Sequence, residues 1–175
     1  MRNFIKMRRI IAALPVIIIL FVSCYKKDVN TTTCDYDPCA TKAPAGEITQ
    51  VESYLSGAGI TTAIKHCSGM YYQITNAGAD LAANTCSYVS VNYKGTLTDG
   101  TVFDQTTTAP AGLALATLIE GWKKGVPLIK KGGKITLYIP PSLGYGSVEQ
   151  KDRTGTTVIP ANSILIYYIE LVDVQ

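Results

Sequence analysis

The central segment of the chain reads Tyr88-Val-Ser-Val-Asn-Tyr-Lys-Gly-Thr-Leu-Thr-Asp-Gly-Thr-Val-Phe-Asp104. Apolar and polar residues alternate along its first half, which is the period of a half-buried β-strand. The Asp-Gly pair at positions 99–100 predicts a tight reversal, because glycine adopts positive φ without a steric cost. The return strand ends with Phe103 beside Asp104, and Tyr93 lies on the neighbouring strand. The segment therefore predicts a β-hairpin that carries two aromatic side chains and a carboxylate.

Similar patterns on either side of this hairpin predict the rest of the fold. Apolar residues at helical spacing predict one helix over Glu47–Leu55 and a second, short helix over 119–129, which Pro127 ends or interrupts. Alternating residues predict further strands at 70–74, 135–139 and 165–171. We therefore predict an α+β fold, with an antiparallel sheet wrapped around a short central helix and an N-terminal helical extension. The Glu47–Leu55 helix is either a dimerisation or docking helix or a helix packed on the flank of the domain, and we favour the second interpretation.

Four sequence blocks, in the same order along the chain, resemble the FKBP-type peptidyl-prolyl isomerases. The blocks are Val91–Asp104, Ile119–Gly125, Ile139–Gly146 and Ile159–Tyr167. The resemblance covers roughly Ser87 to Val174. It implies the fold described above and catalysis of X-Pro amide rotation in unfolded exported polypeptides. It also implies that macrolide-type inhibitors are possible ligands and that no cofactor is needed.

The resemblance assigns a role to each residue of a proposed proline pocket. Trp122 would form the floor, and the N–H of Ile119 and the hydroxyl of Tyr145 would donate hydrogen bonds to substrate carbonyls. Asp104 would orient the bound amide from the rim, and Ile159 would close one side beneath the loop at 147–157. The walls would be formed by Tyr93, Phe103, Leu118, Ile119 and Tyr167.

The chain departs from the family pattern at several of these positions. Ala111 stands where an aromatic residue is usual, and Tyr167 adds a hydroxyl where the family has Phe. The loop at 106–108 lacks the basic residue often found near the rim carboxylate, and the loop at 147–157 lacks aromatic and His residues. These changes motivate an alternative prediction, a non-catalytic FKBP-like chaperone or peptide-binding module.

The beginning of the chain has the features of an export signal. A basic start leads into an apolar run over 10–22, which is shorter than the roughly 20 residues of a membrane-spanning helix. The run ends in Leu20-Phe-Val-Ser-Cys24, which resembles a bacterial lipoprotein processing site, although Phe21 replaces the usual Leu. Cys24 would then carry the lipid and attach the protein to the bacterial cell envelope, at the periplasmic face or the outer membrane. An uncleaved signal anchor and an ordinary signal peptide remain alternatives.

The predicted organisation has four parts. They are a lipoprotein signal peptide (1–23), a flexible tether (24–45), an N-terminal helical extension (46–66) and the FKBP-type isomerase domain (67–175).

Four of the 16 basic residues precede the apolar run, which leaves 12 against 13 acidic residues. This balance gives no global support for nucleic-acid binding. A basic cluster, which we interpret as a solvated face, comprises Lys123, Lys124, Lys130, Lys131 and Lys134.

Four cysteines remain when Cys24 is set aside: Cys34, Cys39, Cys67 and Cys86. An even number in an exported chain favours disulfides, and three pairings are possible. We prefer Cys34–Cys39 and Cys67–Cys86, because both pairs are local. A metal site is disfavoured, since one Cys-x4-Cys pair and the single His66 lack the paired spacing of zinc ligands.

Overall fold

A computed structural model describes residues 34–175, which form a large antiparallel sheet, a separate two-stranded sheet and two α-helices. The helices are α1 (Ala45–Gly57) and α2 (Glu120–Gly125). The strands are β1 (Ile64–Lys65), β2 (Tyr71–Asn76), β3 (Tyr88–Thr96), β4 (Val102–Gln105), β5 (Ala111–Ala114), β6 (Lys134–Ile139), β7 (Gln150–Lys151), β8 (Thr157–Ile159) and β9 (Leu165–Val174). Short 3-10 turns lie at Leu115–Thr117, Val126–Leu128 and Pro141–Leu143. The predicted α+β fold class is confirmed.

The seven-stranded sheet has the order β1-β2-β6-β9-β3-β4, and β5 pairs with β3 beside β4. The predicted hairpin forms its edge, with Gly95 of β3 opposite Asp104 of β4 and Gly100 at φ 88° in the turn. Strands β7 and β8 form a separate two-stranded hairpin. Every pairing of the large sheet is antiparallel. Only β1/β2 and β3/β4 are consecutive neighbours in this order, whereas β2 pairs with β6 and β3 pairs with β9 across long stretches of chain.

The core lies between α2 and the concave face of the sheet. Strand β6 places Ile135, Leu137 and Ile139 on this face, where all three are at most 2% exposed. Helix α2 approaches them through Gly121 and Gly125, at which an added Cβ would overlap the side chains of Ile139 and Leu137. The two glycines thus allow a short helix to lie directly on the strand. This close approach determines where α2 sits.

Helix α1 packs on the opposite, convex face of the sheet. Its Val51 and Leu55 are buried against Tyr138 and Ile166, which alternate with the core residues of their strands. Its apolar face is therefore covered by the domain itself, as the flank interpretation requires. The predicted extension is helical only to Gly57, since β1 follows it and joins the sheet before position 67.

The expected cysteine pairing is wrong. The structure joins Cys34 to Cys86 and Cys39 to Cys67, with Cα–Cα distances of 5.8 and 5.4 Å. The segment at 34–44, here called the N-terminal strap, runs across the domain, so its two cysteines meet different partners instead of each other. Proximity in the sequence was a poor guide because partners 52 and 28 residues away are brought closer by the fold.

The N-terminal strap is therefore attached to the domain, although the sequence placed it in a flexible tether. It contains neither helix nor strand, and two disulfides fix it. The predicted signal peptide and Cys24 lie outside the described residues. Within residues 34–175, neither α-helix has the length and apolar character needed to cross a bilayer.

Peptide mapping without reduction should recover Cys34 linked to Cys86 and Cys39 linked to Cys67. Replacing either pair with serine should lower the free energy of unfolding by about 3 to 4 kcal/mol, because each bond closes a long loop in the unfolded chain. Urea unfolding followed by circular dichroism measures this loss. A Cys34–Cys39 fragment, or unchanged unfolding midpoints in both paired variants, would contradict the assignment.

Candidate active site

A cavity of about 290 Å³ opens between α2 and one end of the concave sheet face. Its wall combines aromatic, aliphatic and hydroxyl-bearing side chains with one carboxylate. The lining residues are Tyr93, Asp104, Leu113, Thr117, Leu118, Ile119, Trp122, Tyr145 and Tyr167.

Three aromatic rings form the floor of the cavity. Trp122 meets Tyr167 and Tyr93 edge to face, with ring centroids 5.1 and 5.3 Å apart. Trp122 is only 3% exposed and Tyr167 only 4%, yet both border the cavity. Edge-to-face contacts of this kind stabilise aromatic clusters beyond their buried area. The floor is therefore apolar and held rigidly from below.

Each ring of the floor comes from a different element. Tyr93 points inward from β3, Tyr167 from β9, and Trp122 from the first turn of α2. Ile119 precedes α2 in an extended conformation, and its carbonyl accepts the N–H of Trp122 at 3.0 Å. Ile119 and Trp122 are thus linked directly. The N–H of Ile119 makes no hydrogen bond within residues 34–175, and Ile119 is one of the lining residues of the cavity.

The rim of the cavity is polar on one side. The hydroxyl of Tyr93 donates to Oδ2 of Asp104 at 2.7 Å, and Asp104 itself is exposed. Burial, followed by the hydrogen bond to Asp104, raises the pKa of Tyr93. Burial also raises the pKa of Tyr167, and the nearby Tyr145 raises it further. The hydroxyls of Tyr93 and Tyr167 therefore stay neutral well beyond physiological pH.

Tyr145 stands at the mouth of the cavity with 37% of its surface exposed. It follows the 3-10 turn at Pro141–Leu143, and the next residue, Gly146, donates its N–H back to the carbonyl of Pro141 at 2.8 Å. A second bond, from the N–H of Asn162 to the carbonyl of Gly146 at 2.8 Å, ties this turn to the turn that precedes β9. The backbone immediately after Tyr145 is thus held by two hydrogen bonds, while the Tyr145 side chain remains exposed at the mouth.

The structure brings together seven of the nine residues predicted for the pocket. Phe103 and Ile159 do not line it. Phe103 packs edge to face against Tyr167 at 5.4 Å, and Ile159 is 4% exposed in the core at the end of β8. Phe103 thus supports the lining residue Tyr167 from behind, and Ile159 belongs to the hydrophobic core.

Sequence reasoning missed two lining residues, Leu113 and Thr117. The alternation along β5 places Leu113 on the core side, which is a usable signal. Thr117 gives no such signal, because a hydroxyl in a short 3-10 turn has no periodicity. Its Oγ1 donates to the carbonyl of Ala114 at 2.8 Å and so shapes the turn that leads to Ile119.

A larger groove, of about 540 Å³, lies on the convex face of the sheet. Polar and charged side chains from four neighbouring strands surround the half-exposed Tyr168 there. It lacks the packed aromatic floor and enclosing walls of the smaller cavity. We therefore take the 290 Å³ cavity as the candidate active site.

This cavity suits the binding of an apolar ring beside an amide. The aromatic floor is almost fully buried, Ile119 and Tyr145 line the cavity, and the carboxylate of Asp104 accepts from Tyr93. Within residues 34–175, His, Cys, Asp and Glu side chains form no group that could hold a metal ion.

Comparison with known proteins agrees with this geometry. Residues 80–172 match the family model for the FKBP-type peptidyl-prolyl cis-trans isomerases. The FKBP-type peptidyl-prolyl cis-trans isomerase FkpA of Escherichia coli (strain K12) is 41% identical over 126 residues, which are 71% of this chain and 43% of that protein. FkpA of Buchnera aphidicola subsp. Acyrthosiphon pisum is 46% identical over 112 residues, or 63% of this chain and 44% of that protein. The match thus spans less than half the length of these relatives.

Two solved structures are similar as well. The crystal structure of FkpA from Escherichia coli matches with a TM-score of 0.63 and 38% identity, covering 75% of this chain and 60% of that one. A peptidyl-prolyl cis-trans isomerase from Pseudomonas syringae pv. tomato also has a TM-score of 0.63, with 26% identity, covering 77% of this chain and 98% of that one. The family match includes the strands and the helix that build the cavity. The chain belongs to the FKBP-type peptidyl-prolyl cis-trans isomerase family.

Proposed function

We propose that the protein accelerates the cis-trans isomerisation of X-Pro bonds in unfolded exported polypeptides. The observation that carries this proposal is the aromatic cavity floored by Trp122, with hydrogen-bond donors at its wall and mouth. A proline ring fits the apolar floor, while the preceding carbonyl reaches the donors. No covalent step is needed, because the reaction is a rotation about one amide bond and no bond is broken.

The barrier to this rotation comes from amide resonance. An X-Pro bond isomerises in tens to hundreds of seconds, since its partial double bond must twist. Twisting removes the charge separation of the planar amide, so a water-poor site disfavours the planar form more than the twisted one. A cavity that fits the twisted amide better than the planar one accelerates the reaction by differential binding.

The polar groups then orient the substrate over the floor. The N–H of Ile119 and the hydroxyl of Tyr145 would donate to carbonyls on either side of the rotating bond. Asp104 accepts from Tyr93 and so holds that ring upright beside Trp122. In this arrangement Asp104 has two roles at the rim. It holds the ring of Tyr93 in place, and it orients the polar end of the bound amide.

The Tyr145→Phe variant tests the role of the hydroxyl at the mouth of the cavity. Its kcat/KM for an apolar-X-Pro peptide should fall about 3- to 10-fold, because one hydrogen bond contributes about 0.5–1.5 kcal/mol. A protease-coupled proline-peptide assay measures the rate. Tyr168→Phe is the matched control, since it removes a hydroxyl from the convex sheet face and should leave turnover unchanged.

Equal kcat/KM values for the Tyr145 and Tyr168 variants would show that the Tyr145 hydroxyl has no role in turnover. A wild-type protein that binds the peptide without accelerating its isomerisation would instead support a non-catalytic chaperone or peptide-binding module. The departures at Ala111 and in the loop at 147–157 motivate that alternative. The same peptide serves both measurements, so the two functions are separated directly.

The raised tyrosine pKa values predict the pH dependence of turnover. Tyr93 and Tyr167 keep their protons above the ordinary tyrosine pKa, because burial and neighbouring groups favour the neutral hydroxyl. We therefore expect kcat/KM to stay level between about pH 6 and about pH 9. Stopped-flow assays across this range measure the profile. A decline of several-fold centred near pH 8 would show that another titrating group controls the reaction.

We further propose that the protein is exported and held at the bacterial cell envelope by lipid on Cys24. The residue pattern before Cys24 supports this proposal, as do two disulfides in the described residues, because disulfides persist in oxidising compartments. Its partners would be proline-containing unfolded chains and the membrane. A macrolide-type inhibitor would compete for the same cavity.

The Cys24→Ser variant tests the anchor. Lipid attachment requires the thiol, so the variant should move from the membrane fraction to the soluble fraction after cell lysis. Fractionation followed by immunoblotting measures this change. Replacing Cys34 together with Cys86 is the control, since that variant lacks two cysteines but retains the proposed lipid site. Continued membrane attachment of Cys24→Ser would indicate an uncleaved helix.

A further inference from the structure

The N-terminal strap places Tyr36 directly against α2. Its hydroxyl donates to Oε2 of Glu120 at 2.8 Å and accepts from Nζ of Lys124 at 2.7 Å. Cys34 and Cys39, one on each side of Tyr36, are both tied to the domain by disulfides. The ring is therefore held over the helix by covalent bonds on both sides.

Lys124 is the most unusual charged residue of the described chain. Its side chain is fully buried, contrary to the solvated face that the sequence predicted for the lysine cluster. Its Nζ lies 2.9 Å from Oε2 of Glu120 and 5.0 Å from the centre of the Tyr36 ring. The ammonium group thus contacts the carboxylate of Glu120 and both the hydroxyl and the ring face of Tyr36. A buried ammonium that lacks such partners strongly destabilises the folded state, because its lost hydration is not replaced.

The charges of this group are set by the same contacts. Partial burial raises the pKa of Glu120, but hydrogen bonds from Lys123, Lys124 and Tyr36 outweigh it and lower the pKa to about 2. Burial and then the bond to Glu120 raise the pKa of Tyr36, so its hydroxyl remains a donor. The carboxylate and the hydroxyl therefore persist together across the physiological pH range.

The polar group and the aromatic floor share one six-residue helix. Glu120 and Lys124 are four residues apart and lie on one face, whereas Trp122, two residues from each, faces the cavity. So short a helix has little stability of its own and takes its position from tertiary contacts. A shift on the Tyr36 side would therefore move Trp122 and Ile119 at the cavity.

We propose that Tyr36 is a positioning residue for the active site: it completes the shell around Lys124 and thereby fixes the helix that presents Trp122 and Ile119. The effect on turnover rests on the proposed isomerase function, but the effect on the environment of Trp122 does not. Tyr36 lies outside residues 80–172, which match the family model. The support for α2 therefore comes from the N-terminal strap and not from the matched family segment.

The Tyr36→Phe variant is the direct test, because it keeps the ring and removes only the hydroxyl. Trp122 is the single tryptophan of the chain, so fluorescence excited selectively at the indole, and not at the 11 tyrosines, reports on the cavity floor. We expect a shifted emission maximum, because the hydrogen bonds of the hydroxyl with Glu120 and Lys124 are both lost. We also expect kcat/KM to fall about 3- to 10-fold, which corresponds to about 0.5–1.5 kcal/mol of hydrogen-bond energy. Both readouts are taken at a temperature where thermal unfolding shows the variant to be fully folded.

A second triad of the same chemistry provides the matched control. Tyr71 donates to Glu52 at 2.5 Å, and Lys65 pairs with Glu52 at 2.9 Å, but this group is exposed and lies at α1, away from the cavity. Tyr71→Phe should leave the Trp122 emission and turnover unchanged. Equal changes in the Tyr36 and Tyr71 variants would overturn the proposal, since both would then reflect a general loss of stability.

Rescue separates positioning from simple loss of a contact. Combining Tyr36→Phe with Lys124→Met removes the buried ammonium, which in Tyr36→Phe has lost the tyrosine hydroxyl and keeps only Glu120 as a hydrogen-bond partner. Glu120 keeps its ion pair with Lys123 in the double variant. This double variant should recover the wild-type emission maximum and most of kcat/KM. A wild-type emission maximum in Tyr36→Phe alone would refute the proposal. If the wild-type protein proved inactive, the fluorescence of the three variants would still decide it.

Discussion

The close packing of α2 on β6 is the constraint on which the rest of the structure depends. Gly121 and Gly125 allow the helix to touch Ile139 and Leu137, and this contact brings Trp122 edge to face with Tyr167. A helix held farther from the sheet would leave the cavity without a floor. The interface between α2 and β6 therefore determines three features. They are the burial of the core face, the aromatic cluster, and the position of Ile119 at the cavity.

The hairpin, the sheet and the central helix could be predicted from sequence because local periodicity encodes them. Alternation along β3 and β9 identified the inward-facing Tyr93 and Tyr167, and helical spacing identified Trp122. Phe103 was harder to place, because alternation shows that a residue faces the core but not whether it borders a cavity. The hairpin pattern predicts that Tyr93 and Asp104 lie close together. It does not predict that the hydroxyl of Tyr93 donates a hydrogen bond to Asp104, because that depends on side-chain conformation.

Long-range contacts could not be predicted in the same way. The pairing of Cys34 with Cys86 depends on how the N-terminal strap crosses the domain, and the strap has no periodic pattern. The burial of Lys124 had the same origin, since Tyr36 and Glu120 make an apolar environment tolerable for its charge. Composition alone assigns a lysine to the surface. Both features arise where an irregular segment meets the helix of the active site.

The most direct test of the central claim is an NMR measurement on the protein mixed with a short apolar-X-Pro peptide. The account predicts exchange between the cis and trans proline resonances that is faster than in the free peptide, and nuclear Overhauser contacts from the proline ring to the Trp122 indole. Contacts to Tyr168 on the convex sheet face instead, without faster exchange, would contradict it.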